Sequence, residues 1–258
     1  MENLGEVRAR HGARQILSEL WVSDPAHIDL TVFAARCGLD IREGGLDTAD
    51  GRIVAGPYAT GYIRVRSGIE SLGRRRFIIG HEVGHRRLHK HQSYTDTVRE
   101  LTSYRESDPE MEANIFSAEL LMPEFLFVPQ ISRKPPSHAF MRNLADEFST
   151  SHLATLVQYL TYTKEPCALV YSRAGSVKWM RKSASWEWYI RDGTVHAHSG
   201  AGEYFNSGKI PERGMTSTPA SAWLTQFASN SEANIREDVA VWPEYQVALS
   251  FLWVDECL

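Results

Sequence analysis

The chain has 258 residues, 43% hydrophobic and 23% charged, an ordinary globular composition with apolar content for two modest domains. No apolar run approaches the about 18 residues a membrane span needs, and a formal charge of −4 argues against broad, charge-driven binding to nucleic acid. Three widely spaced cysteines, Cys37, Cys167 and Cys257, form neither a metal knuckle nor a disulfide framework. With opening residues of mixed charge and no apolar h-region, they point to a reducing cytoplasm.

Leu4, Val7, Ile16, Leu17 and Leu20 recur at near-helical spacing and predict a surface helix over residues 3–21. Asp29 precedes a short helix containing Val32, Phe33, Ala34 and Ala35, stopped by Cys37-Gly38. Leu39-Asp40-Ile41-Arg42 alternates as a strand does. Ile53-Val54-Ala55 and residues 62–66 suggest two more strands, with the turn-prone Gly56-Pro57 between them.

Gly73-Arg74-Arg75-Arg76-Phe77-Ile78-Ile79-Gly80 then leads straight into His81-Glu82-Val83-Gly84-His85. Histidines four apart on a helix point the same way, so both imidazoles can reach one metal ion, and the glutamate between them stands where a general base is needed. With 10 histidines in the chain, chance supplies this pattern about 0.03 times per chain, so the flanking residues must decide. They favour a buried helix: Phe77, Ile78, Val83 and Leu88 recur at roughly helical spacing. Gly80 and Gly84 each cost a helix about 1 kcal/mol relative to alanine, and close approach of a second helix is a sufficient reason for both. His89 continues the histidine face but lies about 6 Å further along the axis from His85. It is too far to share the same ion, and a contact with a neighbouring loop is expected.

Residues 91–109 are polar and turn-rich and are expected to close one side of the cleft. Tyr94 and Tyr104 lie there; a phenol can donate to the oxyanion of a tetrahedral intermediate, the plainer alternative being a tyrosine packed at the rim. The next helix starts at Asp108 with Pro109 at its first position and stops at Pro123. Glu110, Ala113, Asn114, Ser117 and Leu121 share one face of it. The small Ala113 and Ser117 let this face pack on the glycines of the first motif. That puts Glu110 at the metal as third ligand, and Asn114 one turn on, orienting a ligand histidine. Glu112, about 200° round the helix, is the second choice of ligand.

Residues 75–85 together with Glu110-x-Glu112-Ala113-Asn114-x-Phe116-Ser117-Ala118-Glu119-Leu120-Leu121-Met122-Pro123 resemble the ImmA/IrrE metallopeptidases over about residues 10–125. Ile78, Gly80 and Ser117 depart from the family's usual Thr or Leu, Ala, and Ala, at packing positions that leave the chemistry intact. The resemblance implies a gluzincin-like, zincin-like peptidase domain over residues 1–128, with one zinc ion (Mn2+ the second choice) held by His81, His85 and Glu110. It also implies a protein substrate, a small helix-turn-helix (XRE-type) repressor, whose cleavage releases a stress or mobile-element regulon. By the same resemblance residues 62–66 form the edge strand along the cleft, gripping an extended peptide by β-augmentation, with a plain core strand the equal alternative. The edge reading makes Tyr62 and Arg64 candidate substrate contacts, joined by Tyr104 of the segment between the motifs. In this reading Glu82 takes the proton of the attacking water and passes it to the departing amine. The rival is a non-catalytic sensor or binding module that docks and sequesters a repressor; an intact Glu82 argues against it.

Beyond the motifs, residues 129–137, with Lys134-Pro135-Pro136, read as a linker. Two short amphipathic helices over residues 140–148 and 152–161 flank Ser149-Thr150-Ser151 and resemble a helix-turn-helix, an element spanning about residues 138–163. Only Arg142 and Lys164 are basic there, against Asp146 and Glu147, which favours packing over direct DNA binding. From Pro166 onward six of the seven tryptophans appear, with β-rich runs at residues 168–171, 186–190 and 247–253. Residues 165–258 therefore read as a separate α+β domain, sensor-like and by resemblance GAF-like, in a chain that is α+β as a whole. His196 and His198 alternate on one predicted strand face as a minor metal-site candidate, with surface positions the plainer reading.

Overall fold

The computed structural model of the chain describes residues 4–47, 49–55, 60–89, 108–132 and 135–255. They form helices and two sheets, a mixed α+β fold, divided into two compact units. One contains residues 1–129 and 145–154, the other residues 130–144 and 155–258. Among the described residues no helix is long and apolar enough to cross a membrane.

In the first unit α1 (Leu4–Glu19) buries Ala9, Gly12, Ala13, Ile16 and Leu17 along one stripe. The predicted surface helix is thus half core: its small residues let it lie close against α4 (Asp108–Leu121). Helix α2 (Leu30–Arg36) is capped by Asp29, whose Oδ1 accepts from Thr31 N–H at 2.8 Å. Strands β1 (Leu39–Gly44), β2 (Gly51–Val54) and β3 (Gly61–Arg66) follow, in the order β1-β3-β2. The expected edge strand is therefore the central one, parallel to β1 and antiparallel to β2. Burial explains the order, because Ile63 and Val65 are fully buried while both flanking strands carry exposed charges at Asp40, Arg42 and Arg52.

Helix α3 (Leu72–Leu88) starts at Ser71, whose hydroxyl accepts from Arg74 N–H, and buries every residue from Phe77 to His85. Its glycines meet α4 as the small residues predict: a Cβ on Gly80 would stand 2.6 Å from Ser117 Oγ, and one on Gly84 3.2 Å from Ala113 Cα. The Ser117 hydroxyl donates to the Phe77 carbonyl at 2.8 Å, tying the two helices at that crossing. Helix α5 (Glu124–Ile131) continues through Pro129 into the expected linker. Phe127 and Ile131, one turn apart and both buried, carry it past the proline. Between α6 (His138–Phe148) and α7 (His152–Tyr162) the chain turns at Ser149, left-handed at φ 52°. That turn lies so close to α3 that a Cβ on Gly73 would overlap the backbone of Thr150 and Ser151.

The second unit is built on the antiparallel sheet β5-β4-β8-β7-β6, formed by β4 (Cys167–Arg173), β5 (Ser176–Lys182), β6 (Thr216–Pro219), β7 (Asn234–Trp242) and β8 (Val247–Trp253). One face, with Ala168, Val170, Ala248 and Leu252, packs with Trp186, Tyr204 of α8 (Gly200–Ser207) and Trp223 of α9 (Ala220–Trp223). On the opposite face Phe251 stacks edge-on with Tyr159, and His138 N–H donates to Asp238 Oδ2 at 2.7 Å. The run at residues 186–190 is not a strand: Trp186 is buried in the core and donates its indole N–H to the Trp188 carbonyl. Its aromatic content serves packing there rather than a ladder. His196 and His198 likewise lie in the loop before α8, with His196 Nδ1 accepting from His198 N–H at 3.2 Å.

Candidate metal centre

Helix α3 turns His81 and His85 toward one point, and the first turn of α4 brings Glu110 to it. The two Nε2 atoms are 2.9 Å apart. Glu110 Oε2 lies 3.2 Å from His81 Nε2, and Glu110 Oε1 lies 3.0 Å from His85 Nε2. A tetrahedral zinc site with bonds of about 2.0–2.1 Å has ligand–ligand edges near 3.3 Å. The observed edges are within a few tenths of an ångström of that. Two imidazole nitrogens and a carboxylate facing each other in a buried pocket need a positive charge between them, and a divalent cation fits this donor set. Among the described residues this is the one group of three or more metal-ligating side chains close enough to share an ion.

The neighbours tune these groups. His81 donates Nδ1–H to Asn114 Oδ1 at 2.9 Å, an arrangement that turns the Nε2 lone pair inward. Burial works against a charge on His81, but the hydrogen bond to Glu110 and the nearby Glu82 outweigh it and raise its pKa. His85 is lowered, because burial dominates there despite Glu110. Burial likewise opposes the charge on Glu110, yet the hydrogen bonds from both histidines overrule it and hold the carboxylate well below its usual range.

Glu82 follows His81 on the buried side of α3 and is only 5% exposed. Burial pushes its pKa up to about 7, although His81 and the Ile53 backbone pull it down. That backbone contact is a sheet feature absent from the sequence reading: Ile53 N–H of β2 donates to the Glu82 carboxylate. Gly51, on the same strand face, leaves room for Glu82, since a Cβ there would overlap Ile78 and stand 3.1 Å from Glu82 Oε1. The register pairs Gly51 with Val65 and Ile53 with Ile63, so α3 covers the face those four residues share. Tyr62 and Arg64 alternate onto the opposite face, where Arg64 bonds the Tyr62 hydroxyl at 3.2 Å and Arg42 stacks on its ring. The structure does not bring them to the triad. Tyr94 and Tyr104 lie outside the described residues.

Glu112, the alternative ligand, points elsewhere: its Oε2 accepts from Arg8 Nε at 3.1 Å and lies 3.5 Å from His89 Nε2. His89 thus contacts α4; the neighbouring segment expected to meet it, residues 91–107, lies outside the described residues. No periodicity links Arg8 or Ile53 to this site, which is why the sequence is silent about both.

The family model described as Peptidase_M78, IrrE N-terminal-like domain, matches residues 34–157, which contain the triad, Glu82 and Asn114. A solved structure described as a Mycobacterium tuberculosis transcriptional regulator is similar in fold, with a TM-score of 0.62 and 13% identity. The match covers 96% of this chain and 76% of that one. No curated protein matches the chain.

Proposed function

Since the chain belongs, through residues 34–157, to the ImmA/IrrE peptidase family, we propose that it is a zinc-dependent endopeptidase of zincin-like fold acting on a protein. The observation that carries this reading is the convergence of both histidine Nε2 atoms and both Glu110 oxygens within 3.2 Å, beside a buried Glu82. His81, His85 and Glu110 hold the ion, and Asn114 fixes the tautomer and orientation of His81. Zinc, when bound, supplies Lewis-acid polarisation of the scissile carbonyl and acidifies the attacking water. Glu82 accepts the proton from that water and returns it to the leaving amine, a task suited to a carboxylate whose pKa burial has raised toward neutrality. Among the described residues the edge strand beside Glu82 is β2. An extended substrate segment pairs there, making backbone hydrogen bonds along Gly51 to Val54.

The substrate in this reading is a small helix-turn-helix repressor of the XRE type, and its cleavage derepresses a stress or mobile-element regulon in the cytoplasm. Residues 1–128 carry the peptidase work and residues 165–258 receive the signal that governs it, as a sensor-like, GAF-like domain. The helical segment at residues 138–163 serves as packing rather than DNA contact, which fits the burial of residues 154–160 along α7. Incubating the protein and zinc with a repressor encoded beside its gene tests the proposal. Discrete repressor fragments form with the wild-type chain and not with Glu82→Gln; binding without cleavage by the wild type would replace the enzyme with a docking module.

A further inference from the structure

Glu110 occupies the first turn of α4, where a helix has the fewest internal hydrogen bonds to hold it. Its oxygens are nevertheless set within about 3 Å of two imidazoles. Three side chains grip this turn. His89, one turn beyond His85, donates from its ring to the Pro109 carbonyl, the peptide that leads directly into Glu110. His89 Nε2 faces Glu112 Oε2 at 3.5 Å, and the same oxygen accepts from Arg8 Nε at 3.1 Å, with a second contact from Arg8 Nη2. Glu112 and His89 are 5% and 8% exposed, so water does not compete freely for either. Helix α1 comes close enough that a Cβ on Gly5 would stand 2.6 Å from Glu112 Oε1.

We propose that Arg8, Glu112 and His89 form a brace that positions Glu110 for the metal, linking α1, the end of α3 and the start of α4 through one chain of polar contacts. The proposal rests on the reading of His81, His85 and Glu110 as ligands. It makes the three residues positioning residues, not ligands: none belongs to the His81, His85 and Glu110 group. His89 acts on the peptide that carries Glu110, and Glu112 and Arg8 act through their contacts with each other and with His89. A purely structural set of ion pairs would add to folding stability and leave the zinc affinity of the folded chain unchanged. A purely electrostatic role would give Arg8 the opposite sign, since removing a nearby cation favours a bound divalent cation.

The test titrates the metal-stripped, full-length chain with zinc against a chromophoric chelator, at a temperature where circular dichroism shows each variant folded. His89→Ala weakens zinc binding about 10- to 100-fold, as loss of ligand-orienting partners does. Arg8→Ala, whose side chain is 54% exposed, also weakens it. Should His89→Ala not fold, the direction of the Arg8→Ala change decides. Unchanged or tighter zinc binding by Arg8→Ala overturns the brace. A wild-type chain that takes up no zinc overturns the metal reading itself, a different failure visible before any variant is made.

Discussion

Glu82 carries two opposing demands in one side chain. As the base of the proposed reaction it would have to lose its proton near neutral pH, and as a residue buried among Ile78, the β2 edge and His81 it resists charge, which lifts its pKa from 4.5 to about 7. Replacing it with glutamine keeps the shape and removes the base, so Glu82→Gln should retain the metal and lose cleavage of any substrate the wild type cuts; turnover by that variant would end the assignment. The same substitution reports on stability. In the metal-free chain the folded carboxyl binds its proton below about 7 and the unfolded one only below 4.5, so the folded state holds the extra proton between those values. Metal-free stability from this group is therefore full at low pH and falls as pH climbs from 4.5 to 7. The gap corresponds to about 3 kcal/mol. Denaturant melts of metal-free Glu82→Gln should match wild type near pH 4 and exceed it progressively up to pH 7; parallel curves would mean that Glu82 is not desolvated as its burial implies.

At the scale of elements, contacts between glycine and small residues position the site. Alanine at an exposed glycine in a helix would gain about 1 kcal/mol. At Gly73, where a Cβ meets the backbone of Thr150 and Ser151, overpacking should instead cost about 1–3 kcal/mol. A thermal melt of Gly73→Ala reads the sign directly, and a stabilised variant would show that the α6–α7 turn is not seated on α3. Much of this was legible in the chain. The spacing of His81 and His85, the glycines at 80 and 84, and the small face of Ala113 and Ser117 fix two helices and their contact, because each is a local periodicity with a packing consequence. That Glu110 rather than Glu112 faces the two histidines followed from that face alone. Strand order was not legible: Tyr62 to Arg66 alternates as an edge or a central strand would, and only the burial of Ile63 and Val65 between two charged neighbours puts β3 in the middle. Nor was the aromatic run at Trp186 and Trp188, whose β-propensity was overridden by core packing.

Across the whole molecule, charge and burial bear on the same question. A formal charge of −4 and a helix α7 buried from residue 154 to 160 argue against DNA contact by the helix-turn-helix-like segment. The chain should bind duplex DNA no more tightly than a neutral control at 150 mM salt (about physiological), and a salt-dependent, sequence-specific shift would contradict this. Activity should instead follow the metal: a chelator stops cleavage and added zinc restores it. The cation itself is the centre of the proposed chemistry, and elemental analysis of the purified chain beside Glu110→Ala addresses it without any knowledge of the substrate. The prediction is close to one zinc per wild-type chain, removed by chelator, and a large loss of metal in Glu110→Ala. A wild-type chain without a bound divalent cation, or a Glu110→Ala chain that retains it fully, would contradict the reading of His81, His85 and Glu110 as a metal centre.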